Sequence, residues 1–122
     1  MKGSQRFDRR ERVTKRADYL RIYEQGVRAS GRFMTLIARP NGTPTARLGI
    51  AATKKLGDAV VRNRAKRLAR ELFRRHKIAP GVDLVVIPRR EMTHTEFGGL
   101  ETEFCALVRR TNRLSHPTGQ ER

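Results

Sequence analysis

The chain has few of the residues that build disulfides, zinc sites or membrane spans. Its 122 residues include one cysteine, Cys105, which excludes an intrachain disulfide and a cysteine-based zinc site. We expect Cys105 to pack as a small apolar residue. No stretch approaches the roughly 20 apolar residues of a membrane span, and residues 1–12 lack the apolar core of a secretory signal. We therefore expect a cytoplasmic protein without a membrane partner.

Acidic residues are also scarce, with 12 Asp and Glu against 28 Lys and Arg. The resulting net charge of +16 and sequence pI near 11.6 predict a polyanionic partner, with nucleic acid favoured over an anionic membrane. The length suits one domain. We expect that domain over residues 13–114, between a flexible basic arm at 1–12 and a loose tail at 115–122.

No constellation typical of a protein catalyst is visible. His76, His94 and His116 lie in three different segments, and no acidic pair or metal-ligand spacing accompanies them. No glycine-rich phosphate loop is present either. We predict that the protein contributes binding, with no catalytic or metal-binding residue of its own; a self-sufficient nuclease using His76 or His94 is the weakest alternative.

The main positive feature is a basic run between Val61 and Lys77. Val61, Ala65, Leu68 and Leu72 recur at the spacing of one helix face. We expect this helix to begin after an N-cap at Asp58 and to end near Lys77. Like charges three and four residues apart destabilise an isolated helix, so the pattern favours an anion-binding face over a merely solvated one. The polar face would carry Asn63, Lys66, Arg67, Arg70 and Arg74.

A first helix is predicted from Thr14, capped by Thr14 or Asp18 and stopped by Gly26. It places Tyr19 and Tyr23 one turn apart on the same face. Two interpretations stay open for these tyrosines: a platform on which RNA bases stack, or half-buried core residues with their hydroxyls at the rim.

The remaining pattern alternates strands and helices. Apolar runs at 33–39 and 46–52 flank a Pro-Asn-Gly turn and predict a hairpin. Residues 82–88 predict a strand covered on both faces, and residues 97–108 predict a last helix. The order predicts an α/β sandwich of helices on a small mixed sheet, with a parallel strand pair around the basic helix.

Residues 52–74, ATKKLGDAVVRNRAKRLARELFR, closely resemble the signature of the bacterial ribonuclease P protein subunit. The resemblance extends to residues 19–26, 47–49 and 83–89, and so covers most of the chain. It implies an α/β sandwich of order α-β-β-(β)-α-β-α with a left-handed β-α-β crossover. Thr53 stands where the family has serine, and Ala65 where a larger aliphatic residue is common.

The resemblance also implies a function. The holoenzyme of that family removes the 5′ leader from precursor tRNA, and its RNA subunit performs the Mg²⁺-dependent hydrolysis. The protein alone would bind no cofactor, would pair one-to-one with the catalytic RNA, and would bind precursor tRNA but not DNA. The alternative from another class is a structural RNA-binding protein of ribosomal type.

Site residues follow from the same resemblance. It implies that the RNA subunit contacts Arg62, Asn63, Arg64, Lys66, Arg67, Arg70 and Arg74. It implies that the single-stranded leader lies in a cleft lined by Tyr19, Tyr23, Lys54 and Lys55, with an aromatic position on the first strand. Our register gives Ile37 at that position, and a small shift would give Phe33.

Overall fold

The computed structural model describes residues 9–76 and 78–115. Its helices are α1 (Arg16–Gln25), α2 (Ala59–Arg75) and α3 (Phe97–Ser115). Its strands are β1 (Val27–Ser30), β2 (Met34–Pro40), β3 (Arg47–Ile50) and β4 (Val82–Pro88). Short 3-10 helices span Arg9–Glu11, Lys54–Leu56 and Arg90–His94. The predicted order of helices and strands is confirmed, with the optional third strand present.

The four strands form one sheet in the order β1-β2-β4-β3. β4 is central: it pairs antiparallel with β2 and parallel with β3, so the predicted parallel pair around the basic helix is confirmed. The left hand of this crossover stays a prediction. Alternation along the strands gives the sheet two apolar faces.

One face packs against α2 and α3 and holds the larger core, in which Leu36, Leu72 and Phe104 are fully buried. The other face packs against α1 through a smaller core of Val13, Ile22, Ile37 and Val85. The result is the predicted α/β sandwich, with α1 on one side of the sheet and the other two helices opposite. No helix of the described residues has the length and apolar content that a bilayer crossing needs.

The predicted hairpin between residues 33–39 and 46–52 is wrong, because β4 lies between β2 and β3. The turn itself forms: Gly42 has φ 72°, and the side chain of Asn41 donates to the Thr45 carbonyl oxygen at 3.0 Å. After this turn, however, the chain crosses to β3 at the far edge of the sheet and does not pair with β2. The actual hairpin joins β2 to β1, a four-residue edge strand with too few apolar residues to be recognised in the sequence.

Some of the predicted helix ends are confirmed and one is wrong. Asp58 caps α2 as expected, because its carboxylate accepts from the backbone N–H of Val61 at 3.1 Å. The N-cap of α1 is Lys15, which makes no side-chain capping bond, so capping by Thr14 or Asp18 is wrong. Gly26 does end α1. Its neighbours leave no room for a side chain, since a Cβ atom would lie 2.6 Å from Cγ2 of Ile37.

The chain ends differ in part from expectation. Residues 9–12 were assigned to a flexible arm, but Arg9–Glu11 is a 3-10 helix and Arg12 forms a parallel bridge with Leu48. The last helix reaches Ser115, where the loose tail was expected to begin. Residues 1–8, Lys77 and residues 116–122, with His116, lie outside the described residues.

Candidate nucleic-acid interface

α2 buries one side and exposes cations on the other, as its sequence predicts. Ala65, Ala69, Leu72 and Phe73 are buried against the sheet, while Val61 and Leu68 are only partly covered. The buried stripe is therefore rotated slightly towards Ala69 and Phe73. The exposed residues of this helix include Asn63, Arg64, Arg67, Arg70 and Arg74, and Arg62 and Lys66 are half-buried.

The cations of α2 differ in how far the protein neutralises them. Arg74 and Arg75 both donate to the Glu71 carboxylate at 2.7 Å, and these bonds hold the pKa of Glu71 below its ordinary value. The first half of the helix has no such acid. Nε of Arg62 is buried without a hydrogen-bond partner among residues 9–76 and 78–115. The positive charge that a partner could neutralise is therefore concentrated between Arg62 and Arg70.

The two tyrosines occupy different environments. The hydroxyl of Tyr19 accepts a hydrogen bond from the backbone N–H of Ile50 at 3.1 Å, and burial raises the pKa of this phenol. Its ring lies directly over Gly49, where an added Cβ would come within 2.9 Å. Tyr23 is 37% exposed, and its ring centroid lies 6.2 Å from that of Tyr19. Tyr19 thus supports the edge strand β3, and Tyr23 presents an aromatic surface.

A cleft of about 510 Å³ opens on the α1 face of the sheet. Tyr23 of α1 lines it together with Ala51 and Ile87, and three further lining residues are cations. Its lining residues are Tyr23, Ala51, Thr53, Lys55, Leu56, Ile87, Pro88, Arg89 and Arg90. An aromatic ring and several cations in one cleft can hold a single-stranded nucleic acid, because bases stack on the ring while the cations attract phosphates.

The two predicted cleft lysines lie in different places. Lys55 lines the cleft, whereas Lys54 is exposed but is not one of the lining residues. Both belong to the 3-10 helix that leads into the N-terminus of α2. The cleft and the basic helix therefore adjoin through this short segment.

Tyr19 lines a smaller hollow of about 190 Å³ at the β3 edge of the sheet. There it meets Lys66 and Arg70 of α2 and Arg12 of the N-terminal segment. Tyr19 and Tyr23 also share a third hollow on the outer side of α1, beside Leu20. The aromatic face of α1 consequently spans the space between the cleft and the basic helix.

The structure does not bring the first-strand candidates into the cleft. Ile37 is 0% exposed in the core beneath α1, so it has no surface to offer a ligand. Phe33 packs against the larger core. It lines a groove beside α3 together with Arg32 and Gly99. The resemblance implied one cleft position on this strand, with Ile37 in our register and Phe33 after a small shift. The sequence shows neither which face of the sheet Phe33 takes nor how deeply Ile37 is buried.

Arg89 and Arg90 are the cleft residues that sequence reasoning missed. They follow β4, and Arg89 is fixed there because its backbone N–H donates to the Phe33 carbonyl oxygen at 2.9 Å and its Nη2 to Thr35 at 3.2 Å. The available signal was a pair of arginines directly after a buried strand. It indicates a cleft only once β4 is known to be central and α1 to lie beside its end.

Two histidines, His76 and His94, lie in the described part of the chain. His76 lies at the end of α2, where Nε2 is 3.1 Å from a carboxylate oxygen of Glu101 and Nδ1 is 3.5 Å from Sγ of Cys105. His94 is exposed at the end of the Arg90–His94 helix. Neither lines the cleft. Cys105 packs between α2 and α3, partly covered rather than fully buried.

Comparison with known proteins identifies the family. A family profile described as Ribonuclease P matches residues 7–112. A ribonuclease P protein component from a Thermotoga species is 41% identical over 110 residues, which cover 85% of this chain and 94% of the relative. One from Clostridioides difficile is 31% identical and covers 87% and 96%.

Solved structures give the same result. The RNase P protein of Thermotoga maritima superposes with a TM-score of 0.74 at 36% identity, covering 82% of this chain and 96% of that one. A Staphylococcus aureus RNase P protein mutant with defective mRNA degradation activity superposes with a TM-score of 0.77 at 31% identity, covering 84% and 89%. The resemblance found in the sequence thus extends to the fold of most of the chain.

Proposed function

This chain belongs to the ribonuclease P protein family, and on that premise we propose that it is the protein subunit of an RNA-containing endonuclease that removes the 5′ leader from precursor tRNA. The RNA subunit would perform the hydrolysis, and one protein would bind one RNA in the cytoplasm. The observation that carries the proposal is an aromatic-walled, cation-rimmed cleft directly beside a basic helix.

The RNA subunit would bind the exposed face of α2. Between Arg62 and Arg70 this face carries Arg62, Arg64, Lys66, Arg67 and Arg70, with no acidic residue among them. Phosphates would relieve the mutual repulsion of these cations.

The single-stranded leader would lie in the cleft. Tyr23 is exposed and can stack on a base, an interaction that contributes about 1–3 kcal/mol. Lys55, Arg89 and Arg90 would bind leader phosphates, which position the strand without reading its sequence. Tyr19 would help indirectly, by holding α1 against β3 through the Ile50 hydrogen bond.

The protein surface does not fit the Mg²⁺ that the family's reaction needs. Magnesium prefers oxygen ligands, but the cleft contributes cations, and the described part of the chain contains no cluster of three His, Cys, Asp or Glu side chains that could hold a metal ion. We propose that the metal ions of the holoenzyme are held by the RNA and its substrate.

Reconstitution tests the proposed function. Precursor tRNA is incubated at low Mg²⁺ with the RNA subunit, with the protein, and with both. We expect the protein alone to be inactive and to stimulate the RNA. Cleavage by the protein alone would point to a nuclease, and the absence of any stimulation would point to a structural RNA-binding protein.

A matched pair of variants tests the leader cleft. Tyr23→Ala removes the aromatic wall, whereas Leu20→Ala removes an exposed apolar side chain of the same helix that does not line the cleft. We expect Tyr23→Ala to weaken holoenzyme binding of leader-bearing tRNA about tenfold, corresponding to roughly 1.4 kcal/mol, and to leave leaderless tRNA unchanged. Equal losses for both substrates would refute the leader cleft.

A further inference from the structure

The Arg90–His94 3-10 helix touches both parts of the proposed interface. At its start, Arg90 lines the cleft. Near its end, the carbonyl oxygen of Thr93 accepts a hydrogen bond from Nε of Arg64, on α2, at 3.3 Å. The helix therefore lies between the cleft and the basic face.

Within this helix, Thr93 connects the two ends. Its hydroxyl donates to the carbonyl oxygen of Arg90 at 3.0 Å. A continuous path of hydrogen bonds thus runs from the guanidinium of Arg64 through the backbone and hydroxyl of Thr93 to the backbone of Arg90. The path joins the surface proposed for the RNA subunit to the surface proposed for the leader.

We propose that Thr93 is a positioning residue that fixes Arg90 in the cleft and couples it to Arg64, so that docking of the RNA subunit on α2 orders the leader-binding cation. The inference rests on the proposed leader cleft and adds a hydrogen-bonded connection between that cleft and the basic face of α2. Thr93 itself would touch neither RNA.

Burial supports this role. Met92 is 0% exposed within the larger core and Thr93 is 7% exposed, so the middle of the helix is held in place. The preceding residue, Arg89, is tied to the sheet through the Phe33 carbonyl oxygen. Arg90 is exposed between these two fixed points. The hydroxyl of Thr93 therefore restrains the backbone of Arg90, whose side chain is exposed.

The test uses the reconstituted holoenzyme and three threonine variants. Thr93→Val removes the hydroxyl and keeps the shape of the side chain, whereas Thr93→Ser keeps the hydroxyl. Thr102→Val is the matched control, because the Thr102 hydroxyl also donates to a backbone carbonyl oxygen, that of Gly98 at 3.1 Å, on the exposed side of α3. The readout is the ratio of the Kd values for leaderless and leader-bearing tRNA. A partly unfolded sample lowers both affinities, and the effect cancels in this ratio.

We expect Thr93→Val to reduce the ratio about two- to tenfold, which is the range for losing one hydrogen bond. Thr93→Ser and Thr102→Val should keep the ratio of the unmodified protein. Arg64→Lys removes the Nε donor, and combining it with Thr93→Val should cost less than the sum of the two separate losses, because both act on the same path.

Three outcomes would overturn the inference: an unchanged ratio in Thr93→Val, a loss of the same size in Thr93→Ser, or additive losses in the double variant. Failure of the proposed function gives a different result. In that case the ratio of the unmodified holoenzyme is itself close to one, before any substitution is made.

Discussion

Replacing Asp83 by Asn should destabilise the protein more than the same kind of replacement at an exposed carboxylate. Asp83 lies in the central strand β4 with its side chain only 3% exposed. Its carboxylate accepts from Nε and Nη2 of Arg47 at 2.7 and 2.6 Å, and from the Asn41 side chain at 2.8 Å. Arg47 also lies 3.6 Å from the carboxylate of Asp18 on α1. One buried carboxylate thus joins β3, β4 and the turn before β3, and through Arg47 reaches α1.

The expected loss follows from burial. Removing one partner of a buried ion pair costs about 3–5 kcal/mol, because the other charge is left without compensation. Arg47 is 25% exposed and can recover part of its hydration, which places Asp83→Asn near the lower end, at about 3 kcal/mol. That is a large fraction of the roughly 5–15 kcal/mol by which a domain is stable.

Urea unfolding at pH 7 measures the change, and Glu71→Gln is the matched control. Glu71 also accepts three hydrogen bonds from guanidinium groups, but its side chain is 32% exposed. Exposed ion pairs contribute about 0–1 kcal/mol. We expect the midpoint of Asp83→Asn to fall clearly and that of Glu71→Gln to change little. Equal losses, or a loss below about 1 kcal/mol for Asp83→Asn, would refute the argument that burial decides the contribution.

Three further predictions concern the interface and its support. Arg67→Ala combined with Arg70→Ala should weaken assembly with the RNA subunit and flatten the log-log salt dependence of its affinity by about 1.4–1.8; an unchanged slope would exclude these side chains as phosphate contacts. In a Tyr23→Phe variant, Tyr19 is the sole tyrosine and no tryptophan interferes, so absorbance titration should give a pKa above 10.0. Because burial raises this pKa, the Tyr19 contribution to stability is present below pH 10 and is lost as the pH rises through the raised value. Gly49→Ala should displace the Tyr19 ring and destabilise by about 1–3 kcal/mol; unchanged unfolding would show that the ring can move without cost.

The basic helix shows how much a sequence with strong periodicity determines. The Asp58 cap, the cationic face and two of the four predicted stripe residues, Ala65 and Leu72, were readable, because a 3.6-residue period and a capping side chain are local properties. Packing decided that Ala69 and Phe73 are buried and that Val61 and Leu68 are only partly covered. The same holds for β4, whose continuous apolar run predicts burial on both faces. The family, too, could be recognised from residues 52–74, since that motif is a property of the chain order.

Tertiary structure decided which elements are neighbours and which side chains reach the cleft. The turn at Asn41 was predicted, but only the sheet order shows that it leads across to the far edge and not into a hairpin. Ile37 and Tyr23 were both predicted to be cleft residues, yet Ile37 is buried beneath α1 and Tyr23 is exposed. Arg89 and Arg90 join Lys55 because β4 is central and ends beside the segment that follows β3. Local sequence determines the hydrophobic period and the charge of each helix and strand. Contacts between residues far apart in the chain depend on how these elements pack, and no single stretch of sequence encodes that packing.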